Sequence, residues 1–158
     1  MTFATWVWLE DLKEPTHQLF VTIDPGWTNP RSKSIYDFGI SAQGAIYFSH
    51  RRVFGRRTTP LVKAKVWTHL AASYDVDTDK VQMFINGKEI NSFLRVDLRR
   101  SPTLSQDWSE QTSIGKFQYH SSRARYLRGR LDEYYIYPCA LGPGQINRLK
   151  DQQCNERK

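Results

Sequence analysis

Apolar and polar residues alternate along most of this chain with a period of two. In Phe3-Ala4-Thr5-Trp6-Val7-Trp8-Leu9 the two tryptophans fall on one face and Thr5, Val7 and Leu9 on the other. That is the pattern of a strand, whose successive side chains point to opposite sides. Leu19, Val21 and Ile23 share a face in the run from Gln18 to Asp24. Ile35 to Ser41 and Ala45 to Ser49 are two further runs, joined by Ser41-Ala42-Gln43-Gly44 as a tight connection. Val66, Leu70, Ala72 and Tyr74 line one face of the next run, and Val81, Met83 and Ile85 do so in the run after it. Between Phe84-Ile85 and Lys88-Glu89-Ile90 stands Asn86-Gly87. Both of its residues tolerate positive φ, as a type I′ hairpin turn requires. Gln111 to Phe117 and Leu127 to Tyr137 complete the strands. One short helix is predicted after Pro143, which suits a first helical position, with Ile146 and Leu149 three apart on its apolar side. Thr28 to Ser34 and Leu94 to Glu110 read as long loops.

Many short strands and one terminal helix predict an all-β domain, and 158 residues suit a single one. No internal repeat or linker divides it. Trp67, Leu70, Ala72, Tyr74, Val81, Met83, Ile85, Leu131 and Ile136 are the expected interior. At 39% hydrophobic and 13% aromatic the chain has the side chains to fill a core, which excludes disorder. No apolar run is long enough to span a bilayer. The first residues carry no basic head and no signal-type apolar stretch, so if the parent protein is secreted its signal is expected upstream of this chain, or the chain is a fragment.

Charge adds a direction. The net charge is +7, and eleven of the 23 basic residues are arginines in three short segments: His50 to Arg57, Arg95 to Arg100, and Arg123 to Arg130. Guanidinium groups hold sulfate, phosphate and carboxylate through paired hydrogen bonds. Gathered on one side, they would suit a sulfated polysaccharide; kept apart, they are three solvated loops. Arg51, Arg52, Arg56 and Arg57 are the first choices for ligand binding, because Gly55 makes that segment a flexible loop. Arg125, Arg128 and Arg130 come second, since some could pair with Asp132 or Glu133 instead. Trp27 and Trp108, in predicted loops, are candidates for stacking on sugars, whereas Trp6, Trp8 and Trp67 read as core.

Enzyme chemistry finds little purchase. No nucleophile-elbow, zinc-protease or phosphate-loop motif occurs. Asp75, Asp77 and Asp79 have the period of a carboxylate pair on one strand, but they lie in what reads as a turn, where Asp is common. Asp132 and Glu133 are adjacent and so point to opposite faces of a strand. Two cysteines and four scattered histidines make no zinc pattern.

Val66-Trp67-Thr68-His69-Leu70-Ala71-Ala72-Ser73-Tyr74-Asp75 resembles the Trp-x-His-hydrophobic-Ala-x-x-Tyr-Asp strand of laminin G-like domains. Val81 to Gly87 is similar to their next strand and hairpin, and Thr112-Ser113-Ile114-Gly115 to an Ile-Gly strand start. Gly129-Arg130-Leu131-Asp132-Glu133 resembles their Gly-x-hydrophobic-Asp-Glu strand, and Ala140 to Ile146 their closing helix entry. The ordered set covers Trp67 to Leu149, and Phe3 to Ser49 matches more loosely, mainly through Phe3 to Val7. The resemblance implies a two-sheet antiparallel jelly-roll sandwich of the laminin G-like, concanavalin A-like type, with pentraxins and pappalysin accessory domains among its relatives. It also implies a strand ahead of Phe3, so an upstream segment or a partner chain is expected to complete the sheet.

The expected function is an extracellular or cell-surface recognition module within a larger protein. It would bind acidic or sulfated glycans, or a protein ligand, through its arginine-rich loops. The alternative is a structural accessory domain with no ligand of its own. An enzyme is not expected, and nucleic acid is not an expected partner. The resemblance places Asp132 at a position that coordinates calcium in some sugar-binding relatives, or else makes structural hydrogen bonds to a neighbouring loop. In an extracellular domain, a Cys139–Cys154 disulfide would tie the terminal helix to the sandwich.

Overall fold

A computed structural model of the protein describes residues 1–12, 18–24, 36–41, 43–50, 54–78, 80–90, 93–97, 111–118 and 124–152. Its strands are β1 (Thr2–Leu9), β2 (Gln18–Asp24), β3 (Tyr36–Ile40), β4 (Ala45–His50), β5 (Phe54–Pro60), β6 (Thr68–Asp75), β7 (Lys80–Ile85), β8 (Lys88–Ile90), β9 (Phe93–Asp97), β10 (Gln111–Ile114), β11 (Lys116–Gln118), β12 (Ala124–Tyr126) and β13 (Gly129–Tyr137). One helix, α1 (Pro143–Asp151), follows them. A five-stranded sheet has the order β13-β1-β6-β7-β8 and a six-stranded sheet the order β10-β2-β3-β4-β5-β9. A small ribbon pairs β11 with β12. Every pairing is antiparallel, and the two large sheets make a jelly-roll sandwich.

The period-two pattern is what closes this sandwich. Phe3, Val7 and Leu9 of β1, Leu70, Ala72 and Tyr74 of β6, and Val81 and Met83 of β7 face inward from the five-stranded sheet. Phe20, Val21, Phe38, Ile40, Ile46 and Phe48 meet them from the six-stranded one. At the centre, Phe3 lies 6.1 Å from Phe38 and 6.3 Å from Phe48, and Phe48 lies 5.9 Å from Tyr74, ring centre to ring centre. These aromatic rings join the two sheets through dispersion and offset packing.

The turns use the residues that their backbone demands. Asn86 and Gly87 take φ of 49° and 77°, the two positive values of the expected type I′ turn. Gly44 takes φ 81° and donates to the Ser41 carbonyl at 2.9 Å, closing the predicted connection between β3 and β4. On β13, Glu133 takes φ 48°, and the register against β1 slips by one residue between Ala4 and Trp6. This is a β-bulge. It gathers Tyr135 and Tyr137 beneath α1, on the outer side of the five-stranded sheet.

α1 covers half of that outer face. Ile146 and Leu149 are buried there with Leu141 against Ala4, Ala71 and Phe84. The Thr2 hydroxyl donates to the Cys139 carbonyl at 2.8 Å and accepts from the Leu141 amide at 2.9 Å, which fixes the entry to the helix.

Several expectations change. The segments 54–60 and 93–97 are paired strands, not loops, so Gly55 is part of a ladder. Gln111 to Phe117 breaks at Gly115, φ 67°, into strands of different sheets. Trp67 precedes β6 and is only half-buried, and Val66 is exposed. Ile136 is exposed as well, because it lies beyond the bulge near the end of an edge strand. Ile85 and Leu131 are partly buried at the rim of the core. The loop predicted at Thr28 to Ser34, and the part of the other beyond Asp97, lie outside the described residues.

Candidate functional site

The outer face of the six-stranded sheet is polar. On β3 and β4, Phe38, Ile40, Ile46 and Phe48 turn inward, so Asp37, Tyr47 and Ser49 point the other way. Asp37 and Ser49 are nevertheless buried, and the Ser49 hydroxyl donates to Asp37 Oδ2 at 3.2 Å. A buried carboxylate on a sheet face is expensive unless it is paired, and its oxygens accept hydrogen bonds from hydroxyl groups. Tyr47 is half-buried beside them.

This polar row runs into the basic strands. Ser49 pairs with Gly55 and Tyr47 with Arg57 across β4 and β5, and Arg56 pairs with Arg95 across β5 and β9. Two of the three arginine-rich segments therefore reach one edge of one sheet. That juxtaposition depends on register and is invisible in the linear pattern.

The other sequence candidates divide. Arg51 and Arg52 lie outside the described residues, and only the backbone placement of Arg56, Arg57 and Arg125 is described. Arg125 pairs with Phe117 in the small ribbon. Arg128 sits 3.4 Å from Asp11 and 3.7 Å from Glu10, so its charge is shared with acids from the end of β1. Arg130 is exposed, and its guanidinium lies 5.3 Å from the centre of the Trp8 ring. Trp27 and Trp108 lie outside the described residues.

Asp132 is engaged within its own strand. Its Oδ1 accepts from the Glu133 amide at 2.8 Å and so supports the bulge. Among the described residues no three acidic, histidine or cysteine side chains gather as a metal site, and calcium wants six to eight oxygens. Asp75 is likewise engaged: its Oδ1 accepts from the Asp77 amide at 3.0 Å. The Thr78 side chain, then that amide, hold its carboxyl below the usual range. Asp75 and Asp77 thus shape the β6–β7 turn, and Asp79 lies outside the described residues. Cys139 is an exposed free thiol after β13. Cys154 lies outside the described residues, and the contacts of Thr2 hold the helix entry.

Trp6, Trp8 and Trp67 were read as core. All three are half-buried, and Trp6 and Trp8 stand on the outer face of the five-stranded sheet, beyond the reach of α1. Their shared alternation, opposite to that of Val7 and Leu9, was the available signal.

A laminin G family model, described as the concanavalin A-like lectin/glucanases superfamily, matches residues 1–147. No curated protein sequence matches significantly. Among solved structures, the CBM40 module of the Ruminococcus gnavus IT-sialidase superposes with a TM-score of 0.71 at 14% identity, covering 94% of this chain and 81% of that one. The same module bound to alpha2,3 sialyllactose gives a TM-score of 0.68 at 13% identity, with the same coverage. A putative carbohydrate binding protein from Bacteroides ovatus gives 0.60 at 16% identity, covering 93% of this chain and 39% of that one. A mutant Trypanosoma rangeli sialidase displaying trans-sialidase activity gives 0.62 at 11% identity, covering 96% of this chain and 23% of that one. At these identities the likeness is one of fold.

Proposed function

The chain belongs to the concanavalin A-like lectin/glucanases superfamily, and from that membership we propose that it is a glycan-binding, lectin-like module selective for acidic glycans. The observation that carries the reading is the outer face of the six-stranded sheet. There Tyr47, beside the Asp37–Ser49 pair, registers opposite Arg57 of β5. The tyrosine suits sugar hydroxyls, and the arginine suits sulfate or carboxylate groups. The CBM40 module bound to sialyllactose supports an acidic ligand by analogy.

In this reading the domain binds and does not cut. Asp75 and Asp77 are committed to a turn, and Asp132 to the bulge next to Glu133. The domain works outside the cell or at its surface as part of a larger protein, where sulfated and sialylated chains are found. No described helix is long and apolar enough to cross a membrane.

Heparin-affinity chromatography tests the proposal. The native domain is expected to elute at clearly higher salt than from a sulfonate cation exchanger of matched charge density. Salt screens exposed charges over about 8–10 Å near physiological ionic strength, so both columns respond to it. Only recognition of the polysaccharide separates them. Equal elution would remove the case for a selective glycan site and favour an accessory domain without a ligand.

A further inference from the structure

We propose that the helix-free half of the outer face of the five-stranded sheet is a second ligand site, in which Trp6 and Trp8 carry a pyranose ring and Arg130 holds its anionic substituent. The site goes beyond the function proposed above, because it lies on the opposite sheet and shares no residue with the Asp37 face. Three strands build it in register. Trp8 pairs with Arg130 and Trp6 with Asp132 across β1 and β13, while Trp6 pairs with His69 across β1 and β6. Paired positions share a face, so these five side chains form one cluster.

Below the bulge at Glu133, Trp6 and Trp8 are half-buried and Arg130 is exposed, and above it α1 closes the other half over Ala4, Ala71 and Phe84. The packing orients the rings. His69 is buried and meets the Trp6 ring edge-on at 5.5 Å, and it thereby supports that ring from one side. Trp6 and Trp8 are two residues apart on one strand, which spaces them by roughly 6.6–6.8 Å. A six-membered sugar ring matches that spacing and presents C–H groups to an aromatic face.

Arg130 supplies the charge preference. Its neighbour Arg128 is engaged by Glu10 and Asp11, but Arg130 makes no ion pair with any described residue. It is held over Trp8 at 5.3 Å instead. A guanidinium resting on an aromatic face keeps its hydrogen-bonding fork available and loses little freedom when an anion arrives. Asp132, two residues along β13, repels a second anion. Both charges stand among the rings, whereas the cores of protein–protein interfaces are depleted of charge. A sugar therefore fits this face better than a protein surface.

The test follows the indole N–H signals of the nitrogen-15-labelled domain by NMR. The probes are a hyaluronan hexasaccharide with carboxylates only, a keratan sulfate tetrasaccharide with sulfates only, and neutral chitohexaose. At least one anionic probe is expected to move the Trp6 and Trp8 signals, its identity showing which anion is held, while chitohexaose leaves them in place. Arg130→Ser, at an exposed position, is expected to weaken that binding at least tenfold, and Arg130→Lys to restore only part of it. Both variants should elute from heparin within the shift expected for a single charge, since the other sheet face is intact. Loss of selective heparin retention by the native domain, with these signals still moving, would overturn the first site and leave this one standing. Signals unmoved by every probe, or undiminished binding by Arg130→Ser, would overturn the second site. Movement of the same signals with protein concentration alone would make the face a contact between copies of the chain and would also overturn it.

Discussion

Phe48→Ala is expected to destabilise the domain by about 3–5 kcal/mol, the usual cost of deleting a buried phenylalanine. Phe48 is fully buried on the six-stranded sheet. Its ring meets Phe3 at 6.3 Å and Tyr74 at 5.9 Å, both from the five-stranded sheet, and Tyr36 at 6.2 Å. Truncation opens a cavity at the plane where the sheets join, and close-packed neighbours refill such a space only partly. Domain stability is typically about 5–15 kcal/mol, so the loss is a large share of the total. Urea denaturation followed by tryptophan fluorescence reads it as a lowered midpoint. Half-buried Trp67 should cost less when truncated. A Phe48→Ala midpoint equivalent to less than about 1 kcal/mol would mean that the sheets do not pack through this ring.

The joint replacement of Arg51, Arg52, Arg56 and Arg57 by serine has the second large effect. A hydrogen bond to a charged group contributes roughly 1.5–3 kcal/mol, so losing two such contacts lowers affinity on the order of 100-fold. The variant should leave heparin at markedly lower salt than the native domain, and close to its elution from the matched exchanger. A thermal melt of the same sample separates lost recognition from lost fold. Should the fourfold variant melt early, Arg57→Ser alone, at the position registered against Tyr47, is the smaller test. Unchanged heparin elution by a folded variant would remove this segment from the site.

Much of this architecture is legible in the alternation of side chains. β1, β2, β4, β7 and the Asn86-Gly87 hairpin are where a period of two and the turn chemistry place them. β5 was not legible. Phe54-Gly55-Arg56-Arg57-Thr58-Thr59-Pro60 has no apolar alternation and holds both glycine and proline. It is a strand because β4 and β9 pair with it on either side, and such tertiary pairing overrides local preference. β9 was hidden by the polar stretch that follows it.

The candidate sites divide in the same way. Concentrated arginine was visible in the sequence, but the pairing of Arg56 with Arg95 was not, since register between segments 39 residues apart leaves no local mark. The tryptophans of β1 were misread for a physical reason. An outer sheet face that is half covered by a helix is apolar too, so alternation separates two faces without saying which is inside. Glu133 at positive φ sets how that face is shared between α1 and the rings, and nothing in Asp132-Glu133-Tyr134 announces a bulge.

Binding of the native domain to immobilised glycans, with sulfated, sialylated and neutral members side by side, tests the central claim most directly. An acid-selective lectin-like module should give signal on anionic members, fading as salt rises, with little on their neutral counterparts. Equal binding to neutral and anionic members, or no binding to any glycan at low salt, would contradict it.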